Sequence, residues 1–169
     1  MKMKFRSEQP GDEAQIHAIH RRAFPGQEAQ LVDLLREQGK NVVSIVAEKE
    51  GLLAGHVLFT ESIVEPTNQF RGVGLAPVAV LPEFQNQGIG SSLVRAGLEA
   101  CAQKGYDYAV VLGHTNYYPR FGFRKASAFG LRNAYGVDEP FMALAFRPGV
   151  LGNFSGIVRY QPEFSELDV

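Results

Sequence analysis

The sequence predicts an α/β protein with a mixed sheet, its elements in the order β-α-α-β-β-β-α-β-α-β-β. Three observations predict it. Apolar spacing switches between helical and strand periods along the chain. Gly and Pro stand where the period changes. A central strand–turn–helix unit carries two glycines, Gly88 and Gly90, at the start of its helix.

Residues 3–8 read as a short strand ended by Pro10-Gly11. Ile16, Ile19 and Ala23 then fall at helical spacing, with Asp12 and Gln15 spaced as a capping box. Pro25-Gly26 breaks this helix, and a second presents Leu31, Leu34 and Leu35 before a stop at Gly39. Val42 to Ala47 and Leu52 to Thr60 are rich in β-branched and apolar residues, and Glu48 to Gly51 joins them as a hairpin. Residues 61–70 are polar, contain Pro66 and read as a loop; a third central strand runs from Gly72 to Leu81.

From Gly88 to Lys104, Ile89, Leu93, Val94, Leu98 and Cys101 form an apolar stripe opposite Ser91, Arg95, Glu99 and Gln103. Gly105 ends that helix. Tyr108 to Gly113 is nearly continuously apolar, as expected of a strand buried on both faces. Thr115 to Phe121 reads as one or two helical turns, and Lys125–Leu131 and Phe141–Arg147 as further strands. The organisation is a domain over 1–147 and an extended arm over 148–169 packed on the same domain, its last few residues frayed.

Composition narrows the function classes. The chain has 169 residues, 45% hydrophobic and 21% charged, with a net charge of −1. That balance argues against disorder and against a broad nucleic-acid footprint. No window approaches the roughly 18 consecutive apolar residues of a membrane span. The first ten residues carry positive charge with no apolar stretch after it, so they are not read as a signal peptide. A single cysteine, Cys101, leaves no internal disulfide and suits a reducing cytoplasm. His17 and His20 lie three apart on a helix with no further ligand to complete a metal set, so no metal is expected.

The chemistry sits in Leu75 to Ser91. A helix N-terminus offers unpaired N–H groups and the positive end of the macrodipole, which suit a phosphate. Glycines at 88 and 90 let an anion approach the backbone. The alternative is a glycine-assisted turn with no ligand. A dinucleotide site would need a third glycine where Leu93 stands, and Asp107 precedes a strand where a ribose ligand should follow one. No Gly-Lys-Ser/Thr is present. Pro77 lacks an N–H inside an apparent central strand, so either the strand is an edge or its pairing is interrupted there. An interruption would leave main-chain groups free for an amide-bearing ligand.

Gln85-x-x-Gly88-x-Gly90 resembles the Gln/Arg-x-x-Gly-x-Gly/Ala signature of the GCN5-related N-acetyltransferases (the GNAT superfamily). Tyr118-Pro-Arg-Phe-Gly-Phe123 resembles that family's Tyr-x-x-x-Gly-Phe segment, and the element order over residues 3–147 is the family's order. The run Tyr-Tyr-Pro-Arg-Phe-Gly-Phe and the extended tail are most similar to single-domain bacterial-type members.

The resemblance implies an acetyl-CoA site. Backbone N–H groups of Gln85, Asn86, Gln87, Gly88, Ile89, Gly90 and Ser91 would hold the pyrophosphate, and the main chain of Val78, Ala79 and Val80 would pair with the pantetheine amides. In the family the strands corresponding to Gly72–Leu81 and Tyr108–Gly113 splay into a V around the thioester. Tyr118 matches the general acid that protonates the departing thiolate, and Asn116 is a further cofactor contact. The implied reaction is N-acetylation of a primary amine, small molecule or protein, by direct attack. Possible homodimers follow from the same resemblance. The competing class is an acyl-CoA sensor or interaction module on the same fold, with nucleotide-dependent chemistry a third reading.

The base that deprotonates the amine is not identified. Glu61, Glu65, His114 and Glu139 are candidates at strand ends and loops, with a water chain as the alternative. Glu61, Glu65, Asp138 and Glu139 in segments 61–71 and 131–140 hint at a cationic amine. Cys101 reads as a small buried hydrophobe.

Overall fold

The computed structural model describes residues 2–167. In chain order the elements are β1 (Lys4–Ser7), α1 (Glu13–Ala23), α2 (Glu28–Glu37), β2 (Asn41–Lys49), β3 (Leu52–Glu61), β4 (Ile63–Glu65) and β5 (Gly72–Val80). They continue with α3 (Ile89–Gln103), β6 (Tyr108–Leu112), β7 (Arg124–Lys125), β8 (Leu131–Asn133), β9 (Phe141–Ala145), β10 (Gly156–Arg159) and α4 (Glu163–Glu166). Packing groups the chain into two compact units, with β3, β5 and α3 contributing to both.

The first unit comprises Met1–Phe59, Ala76–Ala100 and Pro162–Val169. β1 pairs antiparallel with β2, with Phe5 opposite Ala47. The β2–β3 turn has Glu50 at φ 53° and Gly51 at φ 82°, the two left-handed central residues of a type I′ hairpin. Ile16 and Ile19 of α1 and Leu31, Val32 and Leu35 of α2 bury against Val46, Leu58, Ala79 and Leu81. Phe164 and Leu167 at the chain's end pack on the same cluster, and Lys40 pairs with the buried Glu163 at 2.7 Å. α3 lies close over β3 because Gly55 and Gly97 have no side chains there. A Cβ on Gly97 would collide with the Phe59 ring, and one on Gly55 would sit 2.9 Å from Leu93 Cδ1.

The second unit comprises Thr60–Leu75 and Cys101–Gln161. Here the strand order is β5-β6-β9-β7, with β5 parallel to β6 and β9 antiparallel to both β6 and β7. A separate three-stranded sheet has the order β4-β10-β8. β10 runs antiparallel to β4, with Val158 opposite Val64, and parallel to β8, with Ile157 opposite Arg132. Asp107, buried between Tyr106 and Tyr108, accepts the Arg71 N–H at 2.7 Å and pairs with Arg147. Its carboxylate is therefore occupied within the fold.

Several local expectations are corrected. Asp12 makes no side-chain cap; it binds Arg6 Nη1 at 2.8 Å and the Gln9 N–H at 2.8 Å. Gln15 instead accepts the Leu53 N–H at 2.9 Å. The segment 61–70 contains β4, because β10 arrives to pair with it. Residues 125–131 are not one strand: a 3-10 turn over Ala126–Phe129, closed by Gly130 at φ 79°, separates β7 from β8. Thr115 to Phe121 yields only a 3-10 turn, Tyr118–Phe121. The arm forms β10 and a helical turn, α4, and the expected fraying falls partly on 168–169, which lie outside the described residues.

Candidate active site

The loop ahead of α3 is built from its two ends. β5 stops at Val80, and a 3-10 turn over Pro82–Phe84 leads into Gln85. Gln85 Nε2 donates to Val80 O at 3.0 Å, fastening the loop to the strand end. Gln85, Asn86, Gln87 and Gly88 are exposed, with Asn86 at φ 62° and Gly88 at φ 80°. Asn tolerates left-handed backbone better than most residues, and Gly does so without cost. A Cβ on Gly88 would meet nothing within 4 Å, so the backbone angle, not crowding, calls for glycine.

The Ser92 N–H donates to Gly88 O at 3.1 Å. The amides of Ile89 and Gly90 precede that bond and are among those a helix leaves without an intrahelical acceptor. Ile89 turns its side chain inward, 5% exposed, while Gly90 and Ser91 are half-buried. Left-handed residues in an exposed turn at a fifteen-residue helix N-terminus make a concavity of N–H groups suited to an anion. The residues present therefore fit a pyrophosphate. Just upstream, Ala79 is spent on the core, Val78 and Val80 are half-buried, and Val80 O is taken by Gln85 Nε2.

In the second unit the β5–β6 ladder is short. Its register covers Gly72↔Tyr108, Val73↔Ala109 and Gly74↔Val110, though β5 runs on to Val80 and β6 to Leu112. This interruption answers the question raised by Pro77: pairing with β6 ends before that residue. Beyond β6, Gly113 carries the ring of Tyr118, and a Cβ there would collide with it. Tyr118 is 7% exposed, held edge-on by Tyr117 at 5.0 Å and Phe123 at 5.8 Å. Gly122, at φ 102°, closes the 3-10 turn that presents it. Burial pushes the Tyr118 hydroxyl up to about 12, so it keeps its proton across the neutral range. Tyr117 is half-buried under Arg120, whose guanidinium lies 4.2 Å from the ring. Asn116 is exposed in the turn before it.

The acidic candidates are matched by cations. Arg71 lies 3.9 Å from Glu61, which also accepts from Tyr106 at 3.4 Å; Arg159 holds Glu65 at 3.0 Å. Lys125 reaches Asp138 at 3.2 Å and Glu139 at 3.5 Å. These pairs offset the negative charge that hinted at a cationic acceptor. His114 is exposed, and its carbonyl accepts from the Tyr117 and Tyr118 amides. Cys101 is fully buried, its thiol pushed up to about 12. Among the described residues, no three His, Cys, Asp or Glu are grouped to hold a metal ion, and no helix is long and apolar enough to cross a membrane.

Sequence reasoning missed two features. One is a polar chain from the buried His20 and His56 through half-buried Ser44 and Glu8 to Arg36, whose members are far apart in sequence. A histidine inside the apolar run of β3 is the one local signal of it. The other is Tyr160, whose place depends on where β10 pairs.

The chain has clear relatives. A model of the acetyltransferase (GNAT) family matches residues 13–123. The uncharacterized N-acetyltransferase YhbS of Escherichia coli K12 is 35% identical over 168 residues, spanning 98% of this chain and 100% of that protein. The uncharacterized N-acetyltransferase YjhQ of the same strain is 38% identical over 138 residues, 78% of this chain and 76% of its own. The crystal structure of Escherichia coli YhbS in complex with CoA superposes with a TM-score of 0.92 at 34% identity, covering 98% of this chain and 93% of that one. A GNAT family acetyltransferase from Brucella melitensis, in complex with acetyl-CoA, gives 0.81 at 34% identity over 96% and 98% of the two chains. With the family model across two central strands and the loop before α3, and with end-to-end relatives of the same architecture, this chain belongs to the acetyltransferase (GNAT) family.

Proposed function

We propose that this protein is an N-acetyltransferase that moves the acetyl group of acetyl-CoA to a primary amine by direct attack. The observation that carries the reading is the loop Gln85–Gly88 at the start of α3, with its left-handed Asn86 and Gly88 and exposed main chain. Membership of the acetyltransferase (GNAT) family, and the CoA and acetyl-CoA held by the two relatives above, support it.

When bound, acetyl-CoA supplies a thioester whose acetyl carbon takes the amine nitrogen as the carbon–sulfur bond breaks. The amides of Asn86 to Ser91 bind the pyrophosphate through N–H groups and the helix dipole, so no basic surface is needed, while Gln85, whose own N–H donates to Pro82 O at 3.3 Å, fastens the loop. The main chain of Val78 to Val80 pairs with the amides of the pantetheine arm, and Asn116 makes a further polar contact. Tyr118 donates its hydroxyl proton to the thiolate sulfur and recovers one from solvent. A phenol this deeply buried stays protonated until it is needed. The proton lost by the amine passes to water.

Calorimetric titration with acetyl-CoA, followed by an amine panel read by mass spectrometry and thiol release, tests the reading. Binding together with amine-dependent thiol release is expected. Binding with no acceleration by any amine would turn the assignment to an acyl-CoA sensor.

A further inference from the structure

We propose that Tyr160 ends the β5–β6 ladder at Gly74 and so acts as a positioning residue for acetyl transfer, a role that rests on the acetyl-CoA reading above. Alternate residues of β6 turn their main chain to either side. Tyr108, whose N–H points to Arg71 O at 3.4 Å, faces β5, and so do Val110 and Leu112. The residues between them face β9, continuing to Gly113, whose N–H donates to Pro140 O at 3.0 Å. β5 pairs only as far as Gly74↔Val110. The Gly74↔Val110 pair already sets Val110 against Val73 and Leu75, so the first outward group beyond the ladder is the N–H of half-buried Leu112, which needs another partner.

Tyr160 supplies it. Its hydroxyl donates to Val110 O at 3.5 Å and accepts a backbone hydrogen bond from Leu112. At Leu112 the side chain thus occupies the acceptor position that β5 would supply if the ladder ran on past Gly74. Its ring stands directly on Gly74, where an added Cβ would lie 2.8 Å from Cε2. Glycine at 74 is therefore the space the ring needs. Tyr160 is 7% exposed and follows β10, which its pairing with β4 and β8 holds in place. The next β6 position, Gly113, carries the ring of Tyr118. The arm's tyrosine and the proposed acid are held by consecutive segments of one strand end.

With the hydroxyl removed, the half-buried Leu112 N–H loses its acceptor, which favours ladder pairing past Gly74. In the register of the ladder, pairing to the end of β6 at Leu112 would reach Ala76 and draw β5 onto β6 just ahead of the main chain that the reading assigns to the pantetheine amides. The test compares full-length wild type with Tyr160→Phe, and with Gly74→Ala, which displaces the ring by its new Cβ. Amide exchange at Leu112 is followed by NMR, CoA and acetyl-CoA affinity by calorimetry, and thermal midpoint by circular dichroism.

Both variants are expected to change Leu112 exchange, as its acceptor passes from the hydroxyl to β5, and to weaken CoA binding about tenfold, the scale of one buried hydrogen bond. The midpoint of Tyr160→Phe should stay close to wild type. Leu112 protection and CoA affinity both unchanged in Tyr160→Phe would overturn the proposal. So would a lowered midpoint with affinity intact, which marks a purely structural tyrosine. Wild type failing to bind CoA overturns the acetyl-CoA reading itself; wild type binding beside an unaffected Tyr160→Phe overturns only the role of Tyr160.

Discussion

His20 Nε2 and His56 Nδ1 lie 2.8 Å apart, and both side chains are completely buried. The direction of the bond follows from its neighbours. Ser44 Oγ donates to Glu8 Oε1 at 2.6 Å, so it accepts from His56 Nε2 at 2.7 Å. His56 thus carries its proton on Nε2, and its Nδ1 accepts from His20 Nε2–H. Glu8 is held by Arg36 at 2.7 Å, which closes the chain on a charged pair. His20 Nδ1 is left buried without a hydrogen-bond partner.

Stability should therefore decline as pH falls. Burial pushes His20 down to about 4 and His56 well below its ordinary value, with His17 and Arg36 adding repulsion to His20. An unfolded histidine takes its proton near about pH 6.5. Between about 6.5 and about 4 the unfolded chain holds the extra proton, so acidification destabilises by about 1.4 kcal/mol per pH unit for His20. His56 acts in the same sense. The contribution is fully present above about 6.5, and that of His20 levels off below about 4. Urea unfolding at about pH 7 and about pH 5 measures it, with the double variant His20→Phe/His56→Phe as reference. Equal slopes for the two proteins would sink the idea.

Local chemistry was legible in the sequence; distant pairing was not. The β2–β3 turn was readable because Glu50-Gly51 is itself the turn, and α3 because its apolar stripe is continuous. The loop Gln85–Gly88 was readable for the same reason: its left-handed residues and the helix that follows are adjacent in sequence. β4 was hidden because its three residues become a strand only when β10 pairs with them. Asp12 sat at a cap position, yet Arg6 on the neighbouring strand offered it two charge-assisted bonds. Segment 125–131 looked continuous because nothing before Gly130 announces the turn. Tyr160 could be read only as an aromatic in an arm, since its partners lie on β5 and β6.

Gly97→Ala tests the approach of α3 to β3. Alanine favours a helix over glycine by about 1 kcal/mol. Here its Cβ runs into Phe59, a fully buried ring with no free direction in which to move. Overpacking of that kind costs about 1–3 kcal/mol, so crowding outweighs propensity. A lower urea midpoint is expected, and a raised one would show that the ring can give way.

Gly88→Val separates the loop's conformation from its packing. The position is open, so the substitution displaces no neighbour, but φ 80° is a backbone state that a β-branched residue resists. A cost of about 1–2 kcal/mol for left-handed backbone corresponds to roughly tenfold weaker CoA binding if the loop shifts to relieve it. Calorimetry on a variant with an unchanged circular dichroism spectrum reads this. Undiminished affinity would remove the pyrophosphate from this loop.

Tyr118→Phe tests the proposed acid, and pH adds a second handle. Loss of a general acid lowers turnover by about 10²–10⁴-fold, while the ring that packs on Gly113 and Phe123 remains. Acetyl-CoA affinity should stay within about twofold, because the amides assigned to the pyrophosphate are untouched. An exposed tyrosine loses half its protons near about pH 10, and a rate depending on it would fall through that point. Tyr118, raised to about 12, keeps its proton there, so wild-type turnover should not lose its acid between about pH 8 and 10. Steady-state thiol release across that range, for wild type and Tyr118→Phe, checks both statements. Turnover of Tyr118→Phe equal to wild type would assign the proton to another donor.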